Sequence, residues 1–223
     1  MKRSFLKTAD GSLTIQIQDW DEQYHSKHGA LAEARHVFIA AGLDHFYRHN
    51  PETVPIRVLE VGFGTGLNAL LSLQYAQGLG FELEYEGVEG YPVAKEEWQR
   101  LNYGILLSMQ PEFQQLHSAD WEQWSTLSPH FRIRKRQQFF DQIDDEERFD
   151  LVYYDAFGAR VQPELWTEAM FEKMYTAIRP GGVLVTYAAK GSVRRAMQAA
   201  GFEVERLPGP PGKREMLRAS KKR

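Results

Sequence analysis

The sequence predicts an α/β fold in which a mostly parallel, seven-stranded sheet carries helices on both faces. Two observations predict it: short apolar runs alternate with segments of helical periodicity after residue 55, and a glycine-rich turn joins the first run to the first helix. Parallel strands joined by helices need right-handed crossovers, and their ligands bind outside the carboxyl ends of the strands. The length of 223 residues fits one globular unit.

Seven runs have the length and composition of strands. The first five alternate with helical or irregular segments, whereas a proline- and glycine-rich turn separates the last two, which we expect to form a closing hairpin-like pair. The predicted strands are residues 56–61, 83–88, 131–136, 150–154, 183–187, 202–207 and 215–219.

Four segments carry apolar residues at helical spacing, namely residues 67–77, 92–103, 163–178 and 192–200. Pro92 and Pro163 suit the first turn of a helix, where a missing N–H costs nothing. Ser192 is the expected N-cap of the last helix. The Pro180-Gly181-Gly182 turn is expected to separate the third helix from the strand that follows.

Two segments do not fit this repeat. We expect residues 1–50 to be an N-terminal extension that shapes a substrate pocket. The main domain is then residues 51–223, with an insertion at about 104–130.

The composition excludes several classes of site. The chain has no cysteine, which removes disulfides, thiolate zinc sites and cysteine nucleophiles. His25 and His28 are three residues apart but lack the carboxylate context of a metal site, so no metal is expected. No signal-peptide run and no stretch of about 18 apolar residues occurs, so we expect a cytoplasmic protein that does not enter a membrane.

Positive charge is concentrated in two segments of a chain whose net charge is -3. Residues 190–223 hold ten Lys or Arg against three Glu, and residues 132–136 hold four more. Such faces can bind a polyanion. Solvated charges on a tail and on a strand face explain the same pattern, so charge alone does not identify a partner.

A strand that runs into Gly62-Phe63-Gly64-Thr65-Gly66 and then a helix is typical of a nucleotide-binding turn, because glycines let a ligand approach the backbone. The dinucleotide fingerprint needs a third glycine at position 67, which is Leu67 here. Glu60 would also repel a pyrophosphate, whereas it suits the sulfonium and ammonium groups of S-adenosyl-L-methionine. The loop therefore favours this methyl donor over a nicotinamide dinucleotide.

Glu89, at the end of the second strand, is suited to bind ribose hydroxyls. Strand pattern, loop and carboxylates together predict the Rossmann-like fold of class I S-adenosylmethionine-dependent methyltransferases. A tight turn with strand-end carboxylates in water is the alternative. The expected cofactor contacts are Glu60, Gly62, Phe63, Gly64, Thr65, Gly66, Asn68, Glu89 and Asp155.

Asp155 follows the apolar fourth strand, so its carboxylate is expected beside the donor methyl. Methyl transfer is an in-line displacement that mainly requires a well-held nucleophile. An aliphatic amine arrives mostly protonated and must shed a proton before attack. We expect Asp155 to align that amine or to help remove its proton. A carboxylate that only caps the segment before Pro163 is the alternative.

Several stretches resemble the methyltransferase part of the bifunctional tRNA 5-methylaminomethyl-2-thiouridine biosynthesis proteins, the MnmC-like methyltransferase family. The resemblance implies methylation of the aminomethyl group on the wobble uridine of tRNA, with the donor bound by Glu60, the glycine loop and Glu89 and with Asp155 at the catalytic position. The matching stretches lie within residues 28–38, 59–68, 155–166, 190–202 and 212–216.

Two departures from the family matter. The third strand of the family usually ends in an acidic residue that faces adenine, whereas Gln137 and Gln138 stand here; Gln138 is our candidate, and which of the two contacts adenine stays open. The family continues into a flavin-dependent oxidoreductase that generates the amine, and this chain ends at Arg223. A separate oxidoreductase that supplies the amine is therefore a candidate partner.

The expected substrate is the anticodon region of tRNA, whose wobble base must be splayed out to be reached. The basic turn at residues 209–214 then offers cations for phosphate or base, although a turn alone explains it as well. The candidate substrate-binding residues are His28, Arg35, Phe157, Tyr187, Lys213 and Arg214.

Three other functions remain open on the sequence. The chain can be a methyltransferase for another amine, such as a polyamine-like molecule or a protein side chain. It can be a non-catalytic module that binds the donor or RNA, or, third, a nicotinamide oxidoreductase.

Overall fold

The computed structural model describes residues 2–223. Two sheets organise the chain. The smaller is N-terminal and antiparallel, in the order β1-β2-β3, and consists of β1 (Arg3–Lys7), β2 (Leu13–Ile17) and β3 (Glu22–Gln23). It belongs to the segment for which the sequence predicts only an extension.

The larger sheet has eight strands, which are β4 (Ile56–Val61), β5 (Leu83–Val88), β6 (Trp124–Ser128), β7 (Phe131–Arg136), β8 (Phe149–Tyr154), β9 (Ile178–Thr186), β10 (Glu203–Pro208) and β11 (Glu215–Ser220). Their order is β10-β11-β9-β8-β4-β5-β7-β6. Strands β9, β8, β4, β5 and β7 run parallel to their neighbours within this set, and β10 and β11 form the expected antiparallel pair.

The predicted count of seven strands is wrong by one, because β6 pairs antiparallel with β7 at the edge of the sheet. Strand β6 lies in the predicted insertion and reads Trp-Ser-Thr-Leu-Ser, with no buried side chain. An edge strand needs little apolar alternation, since one of its sides stays in solvent. The sequence pattern therefore carried too weak a signal to predict it.

Helices cover the sheet. They are α1 (Ala30–Ala34), a π-helical segment (Arg35–Asp44), α2 (His45–His49), α3 (Leu67–Leu79), α4 (Lys95–Trp98), α5 (Tyr103–Leu106), α6 (Gln110–Ser118), α7 (Glu168–Ala177) and α8 (Gly191–Ala199). The described residues also form 3₁₀ turns at Gln18–Trp20, Phe140–Gln142 and Pro163–Trp166, which lie in the connections after β2, β7 and β8. The first three helical segments follow one another without a break.

The helix predicted at 92–103 is wrong, because only α4 and the start of α5 are helical there. Residues 99–102 separate them, and Asn102 is the last of these. Its side chain accepts a hydrogen bond from the Leu13 N–H at 2.8 Å and donates one to the Gly11 carbonyl at 3.0 Å. These contacts with the N-terminal sheet hold Asn102 outside helical geometry, a tertiary effect that helical periodicity does not reveal.

Three predicted helix boundaries also need correction. Pro163 opens a 3₁₀ turn, and the extended Thr167 precedes α7. Lys190, not Ser192, is the N-cap of α8. The Pro180-Gly181-Gly182 turn lies within β9, where the pairing with β8 jumps from Phe149↔Ile178 to Leu151↔Val183. The glycines therefore form a bulge in the strand instead of a boundary before it.

Alternate side chains of each central strand enter two separate cores. Val58 and Leu151 face α3 and the long N-terminal helical segment, where Phe38 packs on Tyr153 with 5.2 Å between ring centroids. Leu59 and Val152 face α7 and α8 on the opposite side. Helices thus lie on both faces, as the sequence predicts. Because β8, β4 and β5 are neighbours and parallel, the loops after them meet at one edge.

Candidate functional site

A cavity of about 1080 Å³ lies at the carboxyl ends of β4, β5, β8 and β9, and we call it the central cavity. The loops that follow these strands line one side of it. Residues from the N-terminal sheet, the start of α1 and the turn between β10 and β11 line the other. Its walls therefore bring together segments from both ends of the chain.

The glycine loop joins β4 to α3 in a conformation that its glycines make possible. Gly62, Gly64 and Gly66 have φ of 97°, 49° and 70°. A Cβ on Gly62 would lie 2.6 Å from the carbonyl oxygen of Asp155, and one on Gly64 would lie 3.0 Å from Tyr24 Cδ1. Both positions are therefore closed to other residues by backbone strain and by contact.

Two histidines support the glycine loop through hydrogen bonds to Thr65. His25 Nε2 lies 2.6 Å from Thr65 Oγ1, and His117 Nε2 donates to the Thr65 carbonyl at 3.1 Å. Burial lowers the pKa of His25 to about 4 and that of His117 to about 3. Both rings are therefore neutral at physiological pH and act as fixed hydrogen-bonding supports.

Glu89 connects the end of β5 to the glycine loop. Its Oε2 accepts a hydrogen bond from the Gly64 N–H at 3.0 Å, and its Oε1 accepts one from the Tyr91 N–H at 2.9 Å. Burial raises the pKa of this carboxyl. The Gly90 N–H is a third backbone donor to this carboxylate, which still has acceptor capacity for a ligand hydroxyl in the central cavity.

The side-chain amide of Asn68, in the first turn of α3, bridges two carboxylates. Its Nδ2 donates to Glu60 Oε1 and to Asp155 Oδ2, both at 2.9 Å. Burial raises the pKa of Glu60 well above its ordinary value. It raises the pKa of Asp155 to about 7, with a second contribution from the negative charge of Glu33. Asp155 is therefore poised to exchange a proton near neutral pH.

Two buried acceptors in this group, Glu60 Oε2 and Asn68 Oδ1, make no hydrogen bond of good geometry within residues 2–223. The hydroxyl of Tyr85 lies close enough to Glu60 to lower the pKa of that carboxyl against the larger effect of burial. Glu60 is only 1% exposed. Asn68 lines the central cavity, so its unpaired amide oxygen favours a hydrogen-donating ligand, and the nearby carboxylates of Asp155 and Glu89 disfavour a phosphate. The site therefore fits the charges of S-adenosyl-L-methionine.

Aromatic rings form one wall of the central cavity, and Tyr24 in this wall also packs against Gly64 of the glycine loop. Phe157 meets Trp20 edge-to-face at 5.6 Å and Tyr24 at 4.9 Å between ring centroids. Tyr187 donates its hydroxyl to the Ala156 carbonyl at 2.8 Å. Trp166 is buried and donates Nε1 to the Phe157 carbonyl at 2.8 Å, so it supports this wall from behind.

Most of the predicted site residues line the central cavity. Those that do are His28, Gly62, Phe63, Gly64, Thr65, Asn68, Glu89, Asp155, Phe157, Tyr187, Lys213 and Arg214. Glu60 and Gly66 lie directly behind this lining, Glu60 through its hydrogen bond to Asn68 and Gly66 at the start of α3.

Two predicted site residues lie apart from the cavity wall. Arg35 is exposed and is not part of the lining. Gln138 Nε2 is buried without a partner in the described part of the chain, while its neighbours Phe139 and Phe140 line the cavity. Neither finding tests whether these residues bind a ligand, and both remain predictions.

Sequence reasoning missed Glu33 as a site residue. Its Oε2 lies 2.6 Å from Lys213 Nζ, and both residues line the central cavity. The two are far apart in sequence, and Glu33 looks like any solvent-facing residue of a short helix. Only the two helix neighbours Ala30 and Ala34, which pack into the core, hint that this face is buried.

The basic cluster at residues 132–136 is not a free surface. Arg132 pairs with Glu84 at 3.2 Å, and Arg136 pairs with Asp145 at 2.6 Å. Lys135 is 1% exposed and donates to the His117 carbonyl at 2.7 Å. Acidic partners offset the charges of Arg132 and Arg136, and burial withdraws Lys135 from the surface, so the cluster offers a polyanion little.

Neither a metal site nor a membrane span was found. Residues 2–223 contain no group of three or more His, Cys, Asp or Glu side chains that could hold a metal ion. In the same part of the chain, every helix is too short or too polar to cross a membrane.

Comparison with known proteins identifies relatives of this chain. A family model described as S-adenosyl-L-methionine-dependent methyltransferase matches residues 111–222, half of the chain. The tRNA 5-methylaminomethyl-2-thiouridine biosynthesis bifunctional protein MnmC of Pseudomonas paraeruginosa is 31% identical over 227 residues, which cover 89% of this chain and 34% of that protein. The chain therefore spans about a third of the length of the curated relatives it matches.

Solved structures agree with this result. MnmC2 from Aquifex aeolicus has a TM-score of 0.76 at 25% identity and matches 98% of this chain and 70% of its own. Spermidine synthase from Thermotoga maritima has a TM-score of 0.61 at 12% identity, over 99% of this chain and 69% of its own, and so shares the fold alone.

Proposed function

Because the chain belongs to the family of S-adenosyl-L-methionine-dependent methyltransferases, we propose that it methylates the 5-aminomethyl group of the wobble uridine, or 2-thiouridine, of tRNA. The product is the 5-methylaminomethyl base. Family membership supports the methyl donor, and the name of the MnmC relatives supports the acceptor.

The observation that carries the proposal is the position of Asp155 in the central cavity. Its backbone N–H donates to the Val61 carbonyl at 2.9 Å, which ties it to the strand that enters the glycine loop. Its carboxylate is hydrogen-bonded to Asn68. Phe157, two residues later in the sequence, lines the same cavity. A donor on the glycine loop and an amine at the aromatic wall would meet beside this carboxylate.

The reaction requires a neutral amine. Bound S-adenosyl-L-methionine supplies an activated methyl group on a sulfonium centre. The amine nitrogen forms the new bond to the methyl carbon as the methyl–sulfur bond breaks, and one N–H proton must leave. An ionised Asp155 can hold the incoming ammonium group and then accept that proton, because its pKa of about 7 allows either state near neutral pH. The rest of the acceleration comes from alignment of the two reactants.

The cavity suits a base that has been splayed out of the anticodon loop. Phe157 and Tyr24 offer aromatic faces on which a base can stack. Arg214 lines the rim and can contact phosphate. In this proposal residues 1–50 shape the substrate pocket, residues 51–223 form the methyltransferase domain, and a separate oxidoreductase activity supplies the amine.

The proposal is tested with purified protein, S-adenosyl-L-methionine labelled in the methyl group, and bulk tRNA from cells that lack the gene. Nucleoside mass spectrometry should find labelled 5-methylaminomethyl uridine or its 2-thio form. Asp155→Asn should reduce the product by at least tenfold, while Asp144→Asn, an exposed carboxylate outside the cavity, should leave it unchanged.

Three outcomes are distinguishable. Donor binding without any methylated wobble base would overturn the tRNA assignment. Label transferred to polyamines or to protein in parallel incubations would favour another amine as the acceptor. Full activity of Asp155→Asn would refute the role of that carboxylate.

A further inference from the structure

An ion pair between Glu33 and Lys213 lies in the wall of the central cavity, which Asp155 also lines. Lys213 Nζ lies 2.6 Å from Glu33 Oε2 and 3.9 Å from the centroid of the Tyr187 ring. Tyr187 in turn donates its hydroxyl to the carbonyl of Ala156, the residue after Asp155. The pair is therefore connected to the segment that carries Asp155 through one aromatic ring.

Glu33 is held rigidly in this position. Its residue is 7% exposed, and its second carboxylate oxygen accepts a hydrogen bond from the Ser26 N–H at 3.1 Å. Lys213 is anchored by a tight turn, since its backbone N–H donates to the Pro210 carbonyl at 2.9 Å. A carboxylate and a cation of fixed position thus face the same space as Asp155.

The titratable groups that act on Asp155 come from every side. Glu33 precedes the π-helical segment, Lys213 lies in the turn after β10, Glu60 is on β4, Tyr85 is on β5 and Tyr187 follows β9. Of the two charges in the ion pair, Glu33 raises the pKa of Asp155 and Lys213 lowers it.

We infer that Glu33 is a positioning residue which, with Lys213 as its counterion, sets the charge that Asp155 presents to the acceptor amine. The inference rests on the proposed function, because only an amine acceptor makes that charge decisive. In it, Lys213 acts inside the site as the partner of a carboxylate. Glu33 is a buried carboxylate that is costly to leave unpaired, so its ion pair with Lys213 is expected to persist when the site is occupied.

The two members of the pair should act on Asp155 with opposite signs. Removing the negative charge of Glu33 should make Asp155 easier to ionise, and removing the positive charge of Lys213 should make it harder. A role that is merely structural predicts no such opposition, since either change would simply loosen the cavity. Opposite shifts are therefore the signature of the inference.

The direct test is a ¹³C NMR titration of the full-length protein labelled at aspartate carboxyl carbons, with Asp155→Asn used to assign the signal. Glu33→Gln should lower the titration midpoint of Asp155 by at least about half a pH unit, and Lys213→Met should raise it by a similar amount. The double variant should return it close to the wild-type midpoint. Lys213→Arg keeps the positive charge, so it should leave the titration midpoint of Asp155 at the wild-type value. Glu205→Gln, which removes a carboxylate paired with Arg218 away from the cavity, should have no effect.

The activity arm follows kcat/KM against pH for methyl transfer to tRNA. The acid limb should move in the same directions as the titration midpoint. Equal midpoints in wild type, Glu33→Gln and Lys213→Met, or shifts of the same sign, would overturn the inference, provided that circular dichroism shows folded variants. Opposite midpoint shifts without any tRNA methylation by the wild type would instead sustain the coupling and refute the proposed function.

Discussion

The side-chain amide of Asn68 donates a hydrogen bond to the carboxylate of Asp155 at 2.9 Å. The same nitrogen donates to Glu60 on β4, so one helix residue links the strand before the glycine loop with the carboxylate that follows β8. This contact lowers the pKa of Asp155 against the larger effect of burial, which raises it. Because this hydrogen bond opposes the effect of burial on the pKa of Asp155, Asn68 is the first residue to substitute.

Asn68→Leu should move the acid limb of methyl transfer to higher pH, because the carboxylate of Asp155 loses a hydrogen bond that favours its ionised form. A hydrogen bond to a charged group contributes about 1.5–3 kcal/mol, so activity at pH 7 should fall by at least about tenfold. The kcat/KM profile measures this effect, and isothermal calorimetry measures the accompanying loss of donor affinity. An acid limb at the wild-type pH would contradict the expectation.

Asp155 should also make the stability of the fold depend on pH. Burial raises its pKa from 3.8 to about 7, so the folded chain binds the proton more tightly than the unfolded chain. That stabilisation is fully present below about pH 4 and is lost as the pH rises through 7. Asp155→Asn should therefore gain in unfolding free energy over wild type between pH 4 and pH 8, by on the order of 4 kcal/mol.

Urea denaturation at several pH values measures this difference. Asp144→Asn removes an exposed carboxylate and serves as the control, so its stability curve should run parallel to wild type. A parallel curve for Asp155→Asn as well would mean that the buried carboxyl does not hold its proton.

Gly62→Ala should abolish donor binding and destabilise the fold by about 1–3 kcal/mol, because alanine disfavours positive φ and its Cβ would overlap a backbone carbonyl. Gly78→Ala is the matched control. Gly78 lies near the end of α3, and a Cβ there would meet no atom within 4 Å. It should stabilise the helix by about 0.5–1 kcal/mol. Thermal unfolding measures the stability of both variants, and calorimetry measures their affinity for the donor. Equal effects of the two substitutions would contradict a role of the glycine loop in donor binding.

Arg214→Gln should weaken tRNA binding and reduce its salt dependence. Arg214 lines the cavity rim and has no ion-pair partner among residues 2–223, so its charge is available for phosphate. Loss of one phosphate contact should reduce the slope of log affinity against log salt by about 0.7–0.9. Arg48→Gln removes the same charge from α2, outside the cavity, and should leave the slope unchanged. Filter binding over a salt series measures both, and equal slopes in all three proteins would exclude Arg214 from the interface.

Much of the fold could be predicted because the signals are local. Strands β4, β5 and β7 begin and end at the predicted residues, since each is a compact run bounded by turn residues or polar ones. The glycine loop could be predicted for the same reason, as its conformation depends on residues that are adjacent in sequence.

Where long-range contacts compete with local preference, the sequence was a poorer guide. Asn102 interrupts a predicted helix because its amide binds the N-terminal sheet. The cations of β7 look like a solvent-exposed patch in sequence, yet the acids of neighbouring strands and loops neutralise them. The sequence near Asn102 and the sequence of β7 do not reveal these contacts, because the partner residues lie in other segments of the chain.

The sequence by itself determined the parallel core of the sheet, the glycine loop, and the carboxylates Glu60, Glu89 and Asp155 at the strand ends, because hydrophobic periodicity and glycine backbone freedom act over a few residues. Only the tertiary structure decided which charges meet across the cavity. The amide of Asn68 between Glu60 and Asp155, and the pairing of Glu33 with Lys213, arise because a closed fold brings distant segments within hydrogen-bonding distance. In that buried setting, desolvation and neighbouring charge change the protonation of a carboxyl whose residue type alone would predict an ordinary acid.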